Sequence, residues 1–148
     1  MKLLKHPKLN EELEFLPIAV DGEKRYVNYF GGVQAGFPSP AEDFLGKRIS
    51  LDEKYLSKPT CTFVIKVRGN SMVPTLLPGD VMIVRSDVEL QDNALAIVSI
   101  NHTDYTVKRY DKAARAFVPD NASYPSIAVE ESDVVMCLGV VRHVIRDL

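Results

Sequence analysis

From Thr60 to Leu148 the chain is a succession of short apolar runs punctuated by turn residues, and that pattern leaves few folds open. "CTFVIKVRG" alternates, placing Phe63, Ile65 and Val67 on one face of a strand. "DVMIVRS" comes after a turn at Pro78-Gly79. "ALAIVSI" and "DYTVKRY" are joined by "NHT" in an expected hairpin. "RAFVP" is a further short strand. "DVVMCLGVVRHVIR" reads as one long strand in which Gly139 permits a bend or bulge. Many short strands with only small helices specify a mostly-β core.

The chain divides near Pro40. Before it, Met1–Phe30 mixes charge with short apolar pieces ("FLPIAV", "YVNYF") and reads as an arm with short strands. "GGVQAGFPSP", Gly31–Pro40, has glycines at one end and prolines at the other. Local chemistry makes it a linker, because Pro38 and Pro40 lack backbone donors and the glycines favour turns. Ser39 then offers an N-cap with Pro40 at the first helical position and acids in the first turn. This predicts a short helix that turns Phe44 and Leu45 inward, followed by another helical turn around Leu51–Leu56.

The 148 residues suit one domain plus an arm, or two very small units. A formal net charge of −2 does not announce a nucleic-acid binder. No apolar run approaches the roughly 18 residues of a membrane span, and the first residues lack a secretory pattern. Cys61 and Cys137 lie in apolar runs and are expected to be buried thiols, which fits a reducing, cytoplasmic setting. His6, His102 and His143 are scattered, so no metal site is expected.

One loop carries chemistry: "VRGNSMVPTLLPGD", Val67–Asp80. Gly69 allows a sharp turn ahead of Ser71, Pro74 fixes part of the turn after it, and Pro78-Gly79 closes that turn. Ser71 is thereby held on a defined turn, where a nucleophile can be presented. A free hydroxyl attacks poorly and needs a base. His102 and His143 remain open as bases, but neither sits in a recognisable motif. Lys108 in "DYTVKRY" is the better candidate; it shares a strand face with Thr106 and Tyr110, while Arg109 points the other way. A lysine buried there loses solvation in its charged form and can act as a base. The bland alternatives are that Ser71 only caps a helical turn, that Lys108 is a strand lysine with a solvated head, and that Asp80 is only a turn residue.

"GNSMVPTLLPGD" resembles the Gly-x-Ser-Met-x-Pro-Thr-Leu-x-x-Gly-Asp signature of the LexA/UmuD-type Ser-Lys peptidases. "YTVKRY", with its lysine 37 residues after the serine, is similar to that family's Thr-Val-Lys strand. "QAGFPSPAEDF", "NASYPSI" and "LGVVRHVI" resemble UmuD-type chains further, so the likeness runs from about Val33 almost to Leu148. The family often has Gly-Asp ahead of the Thr-Val-Lys strand, where this chain has Asn93-Ala94.

The resemblance implies a LexA/UmuD-like peptidase β-fold with short helices and an extended N-terminal arm. It implies Ser71 as nucleophile, Lys108 as general base and the backbone N–H groups of Ser71 and Met72 as oxyanion hole, with no cofactor and no metal. It makes Ala35–Gly36 the bond cut. It therefore divides the chain into an arm, 1–35, removed by self-cleavage; a linker and short helical segment, 36–60; and a peptidase domain, 61–148.

The same resemblance implies an SOS-response homodimer that cleaves itself when stimulated by RecA filaments on single-stranded DNA. The shortened form would then serve a UmuC-type error-prone polymerase in translesion synthesis, with the replicative polymerase clamp as a further candidate partner. No sequence-specific DNA binding is expected. The 35 residues before Gly36 hold no pair of capped amphipathic helices, and Pro7 and Pro17 interrupt them. Two alternatives stand beside this reading: a signal-peptidase-like enzyme acting on other proteins, and a transcriptional regulator or co-regulator related to LexA.

Overall fold

The structure, a computed structural model, describes residues 7–18, 22, 26–29 and 47–148. The segment Gly31–Pro40, the expected cut at Ala35–Gly36 and the helix expected from Ser39 lie outside the described residues. The chain forms two compact units.

The smaller unit falls within Ala19–Pro59. Its strands β2 (Tyr26–Tyr29) and β3 (Lys47–Ser50) pair antiparallel, Tyr26 opposite Ser50. Helix α1 (Leu51–Tyr55) comes directly after β3. The Ser50 hydroxyl accepts the Glu53 amide at 3.4 Å, and Asp52 and Glu53 occupy the first turn, where their charge suits the helix dipole. The helical turn expected around Leu51–Leu56 is therefore present.

The larger unit joins residues 7–18 to Thr60–Leu148. Its strands are β1 (Leu13–Leu16), β4 (Thr62–Val67), β5 (Val81–Arg85), β6 (Leu95–Ile100), β7 (Thr106–Asp111), β8 (Ala116–Val118), β9 (Ile127–Ala128) and β10 (Val135–Ile145). They form one eight-stranded sheet in the order β1-β4-β5-β10-β6-β7-β8-β9, every pairing antiparallel. The mostly-β expectation holds.

Strand β10 joins the two halves of this sheet. Val135–Val140 pairs with β6 and Val140–Ile145 with β5, with register shifts at Cys137/Gly139 and Val141/His143. Gly139 is needed at the crossing: a Cβ there would lie 2.8 Å from both the Arg85 carbonyl oxygen and Val84 Cγ1. The β6–β7 hairpin turns through Asn101 (φ 53°) and His102 (φ 61°), the left-handed pair that a tight hairpin requires. Asn93 takes φ 67° at the start of β6, and Asn93 N donates to the Tyr110 carbonyl at 2.7 Å. Asparagine tolerates this left-handed position, so the turn ahead of β6 closes without a glycine.

Two apolar clusters form the core. The first gathers Leu13, Ile65, Val67, Met72, Leu76, Met82, Val84, Ile97 and Val107; the second centres on Ala96, Val98 and Phe117. The expected inward face of β4 is seen, with Phe63 partly buried against the first cluster. The cysteine expectation is corrected. Cys61 is half-buried and Cys137 is exposed. Cys137 sits at the bulge of β10 beside the exposed Val135 and Met136, in a part of the strand that enters neither cluster.

Gly139→Ala should destabilise the fold by about 1–3 kcal/mol, because the clash is with backbone that cannot rotate away. Urea denaturation should show a lower midpoint with an unchanged slope.

Candidate active site

Ser71 lies on the loop between β4 and β5. Two backbone bonds close the base of that loop: Val67 N to the Asp80 carbonyl and Gly79 N to the Val67 carbonyl, each 2.8 Å. Gly79 has φ 98°, a conformation that suits glycine. Met72 and Leu76 turn into the first core cluster and anchor the loop from within. Asn121 fixes it from the side. Its backbone N–H donates to the Ser71 carbonyl and its side-chain amide to the Asn70 carbonyl, both at 3.0 Å.

Lys108 lies on β7 opposite Ala96 of β6. The structure brings it to the serine: Lys108 Nζ is 3.2 Å from Ser71 Oγ, and both residues are buried. The ammonium also donates to Thr106 Oγ1 at 3.1 Å and to the Val107 carbonyl at 3.0 Å. Burial holds the amine below its ordinary value of 10.5, and the negative charge of Glu12 acts against that shift. A desolvated amine touching a hydroxyl can take its proton, which is the chemistry a serine nucleophile requires. The two histidines left open as bases lie elsewhere, His102 in the hairpin turn and His143 on β10.

Asp80 is not merely a turn residue. It is almost wholly buried, accepts the Leu77 amide at 2.8 Å, and receives Arg146 through Nε at 2.7 Å and Nη2 at 2.6 Å. The guanidinium of Arg146 holds its carboxyl below the ordinary 3.8. Arg109, on the face of β7 opposite Lys108, makes a second two-point pair with Asp120 at 2.8 and 2.7 Å. Asp120 in turn accepts the Thr75 hydroxyl. The Ser71 loop is thus tied to β7 and to the end of β10 by two carboxylate–guanidinium pairs.

Sequence reasoning missed Glu12. Its carboxylate Oε2 accepts the Ser71 hydroxyl at 2.9 Å, from 59 residues away in the chain. Nothing in "LNEELEF" signals that contact. The roles of Arg146, Asp120 and Asn121 were also silent, although Asp80, Arg109 and Asn121 stand within the quoted motifs. Among the described residues no cluster of histidine, cysteine or acid side chains is placed to hold a metal, and no helix is long and apolar enough to cross a membrane.

Asp80→Asn should lower Tm at neutral pH by weakening the Arg146 pair. Because the folded carboxyl titrates below its unfolded value, that stabilisation is complete above about pH 3.8 and is lost as pH falls through the folded value. The Tm difference between the variant and the native chain should therefore close only below about pH 3.8 in thermal melts.

Known proteins resemble the chain over most of its length. Residues 28–142 match the family described as Peptidase S24-like. The chain is 30% identical over 118 residues to Protein MucA of Salmonella typhimurium, covering 78% of this chain and 80% of that one. It is 30% identical over 133 residues to Protein ImpA of the same organism, covering 88% and 91%. To the LexA repressor of Acidithiobacillus ferrooxidans it is 32% identical over 122 residues, covering 78% of this chain and 58% of the repressor. The chain belongs to the S24-like peptidase family, the LexA/UmuD-type group that its two motifs resemble.

Proposed function

We propose that this chain is a UmuD-like SOS-response protein that cuts itself once, between Ala35 and Gly36, using Ser71 and Lys108. The observation that carries the reading is a buried lysine amine 3.2 Å from a serine hydroxyl in an S24-like chain. Neutral Lys108 takes the Ser71 proton as Oγ bonds to the Ala35 carbonyl carbon. The backbone N–H groups of Ser71 and Met72 receive the oxyanion. The Ala35–Gly36 bond breaks as Lys108 returns the proton to the Gly36 nitrogen. Water, deprotonated by the same amine, then releases Ala35 as a free carboxylate.

In this reading the arm, 1–35, is the part removed, and the product from Gly36 onward is the working form. It is a cytoplasmic homodimer that joins a UmuC-type error-prone polymerase in translesion synthesis, with the polymerase clamp as a further partner. RecA filaments on single-stranded DNA speed the cut by favouring the conformation in which the cleavage segment is docked, without adding catalytic groups. The likeness to the LexA repressor favours a second reading, a self-cleaving transcriptional regulator, which specific DNA retention by the pure protein would support.

The test is incubation of the purified chain from neutral to alkaline pH, with and without RecA, single-stranded DNA and a nucleotide, read by intact mass. A fragment beginning at Gly36 is expected. Ser71→Ala and Lys108→Ala should each slow its formation by at least about 10³-fold. Lys108→Arg should fail equally, because a guanidinium stays charged. Since Lys108 must lose its proton and its folded value lies below 10.5, the rate should rise about tenfold per pH unit and level off before that value. A flat profile, or a fragment that persists in the variants, would sink the reading.

A further inference from the structure

The segment carrying Glu12 lies across the candidate site. On one side, Asn10 N donates to the Tyr105 carbonyl and Tyr105 N to the Lys8 carbonyl, each at 2.8 Å, just ahead of β7. On the other, β1 pairs with β4 from Leu13 opposite Val67 to Leu16 opposite Val64. Between these attachments the Glu12 carbonyl accepts the amides of Arg68 (2.6 Å) and Gly69 (3.3 Å), immediately before the nucleophile. A Cβ on Gly69 would collide with the Glu12 side chain, so the close approach depends on glycine there. Glu14 adds an ion pair with Arg68.

The protons at the site can be counted. An ionised carboxylate can only accept, and a serine hydroxyl has one proton. With that proton directed at Glu12, Ser71 can offer Lys108 only a lone pair. Lys108 must then be the donor. Its three bonds, to Ser71, Thr106 and Val107, are the full complement of an ammonium. Such an amine has no lone pair with which to accept a proton. Among the described residues, the groups that face it are Ser71 from the loop, Thr106 and the Val107 carbonyl from β7, Ala96 opposite on β6, and the charge of Glu12 from the arm. Glu12 also lines an open groove with Asn10, Glu11, Asp104 and Tyr124, and its carboxylate reaches from there to the Ser71 hydroxyl.

We propose that Glu12 is a positioning residue that holds Ser71 and Lys108 in a resting state, directing the serine proton away from the lysine until the arm lifts off β4. This deepens the self-cleavage reading and rests on it. The β1 segment is then more than a piece of what is discarded; while paired with β4 it keeps the site silent, and its release frees the dyad for the separate docking of the cleavage segment.

The test combines two measurements on the full chain with Glu12→Gln, which removes the charge, and Glu12→Ala, which also removes the acceptor. The first is the pH profile of self-cleavage. The second is the ¹³Cε titration of Lys108, assigned by loss of its signal in Lys108→Arg. Without the carboxylate the charged lysine loses its partner, so the midpoint should move to lower pH by about half a unit to one unit in both measurements. Cleavage below the plateau should accordingly rise about 3- to 10-fold in Glu12→Gln, and at least as far in Glu12→Ala. An unmoved Lys108 midpoint would overturn the proposal. So would a plateau that falls more than about tenfold, which would make Glu12 itself the base. A chain that never cuts itself but shows the lysine shift would retain the contact between Glu12 and the dyad while refuting the function proposed above.

Discussion

Removing a lysine amine from water is the constraint on which the rest of this architecture depends. Water favours the ammonium, and only burial makes the neutral amine accessible near physiological pH. Lys108 is therefore placed in mid-strand, opposite Ala96, with a hydroxyl and a carbonyl from its own strand to receive its protons. A residue at a loop tip would keep its head group in solvent. The β6–β7 hairpin gives the amine a rigid base, with Lys108 held opposite Ala96 in its ladder.

In the proposed reaction the serine has the opposite problem. It must be presented from a loop, yet held as firmly as a strand residue. Apolar anchoring supplies part of this through Met72 and Leu76. The remainder is polar and long-range. Arg146 reaches Asp80 and also donates to the Thr75 carbonyl at 3.3 Å, while Asp120 joins Thr75 to Arg109. Lys108 and Arg109 are adjacent in sequence and face opposite ways, so one strand supplies both the amine and a tie that steadies its partner.

Much of this was legible in the residues. Strands β4 to β8 and β10 follow from period-two alternation and turn punctuation, and the break in β10 follows from a glycine inside an apolar run. The meeting of Ser71 and Lys108 was legible only because two motifs stand at a matching interval; alternation alone says nothing about which loop faces which strand. The arm was expected to carry short strands, as it does, but where they pair was opaque for a physical reason. "LEFL" is too short for periodicity to declare a strand, and its place beside β4 is settled by tertiary pairing and the burial of Leu13. Cys137 misled because an apolar run implies burial, whereas a bulged strand presents part of that run to solvent.

Leu13 carries a consequence of its own. It is only 6% exposed and belongs to the same cluster as Ile65, Val67 and Met72. A protein that discards this strand also discards a piece of its own interior. What remains would have a vacancy beside the Ser71 loop, and Val64–Val67 would become the border of the sheet, with unpaired amides and carbonyls. Such a border is adhesive. If the proposed cut is made, the shortened chain would carry a built-in appetite for an extended segment from another molecule, created by the same event that removes its own.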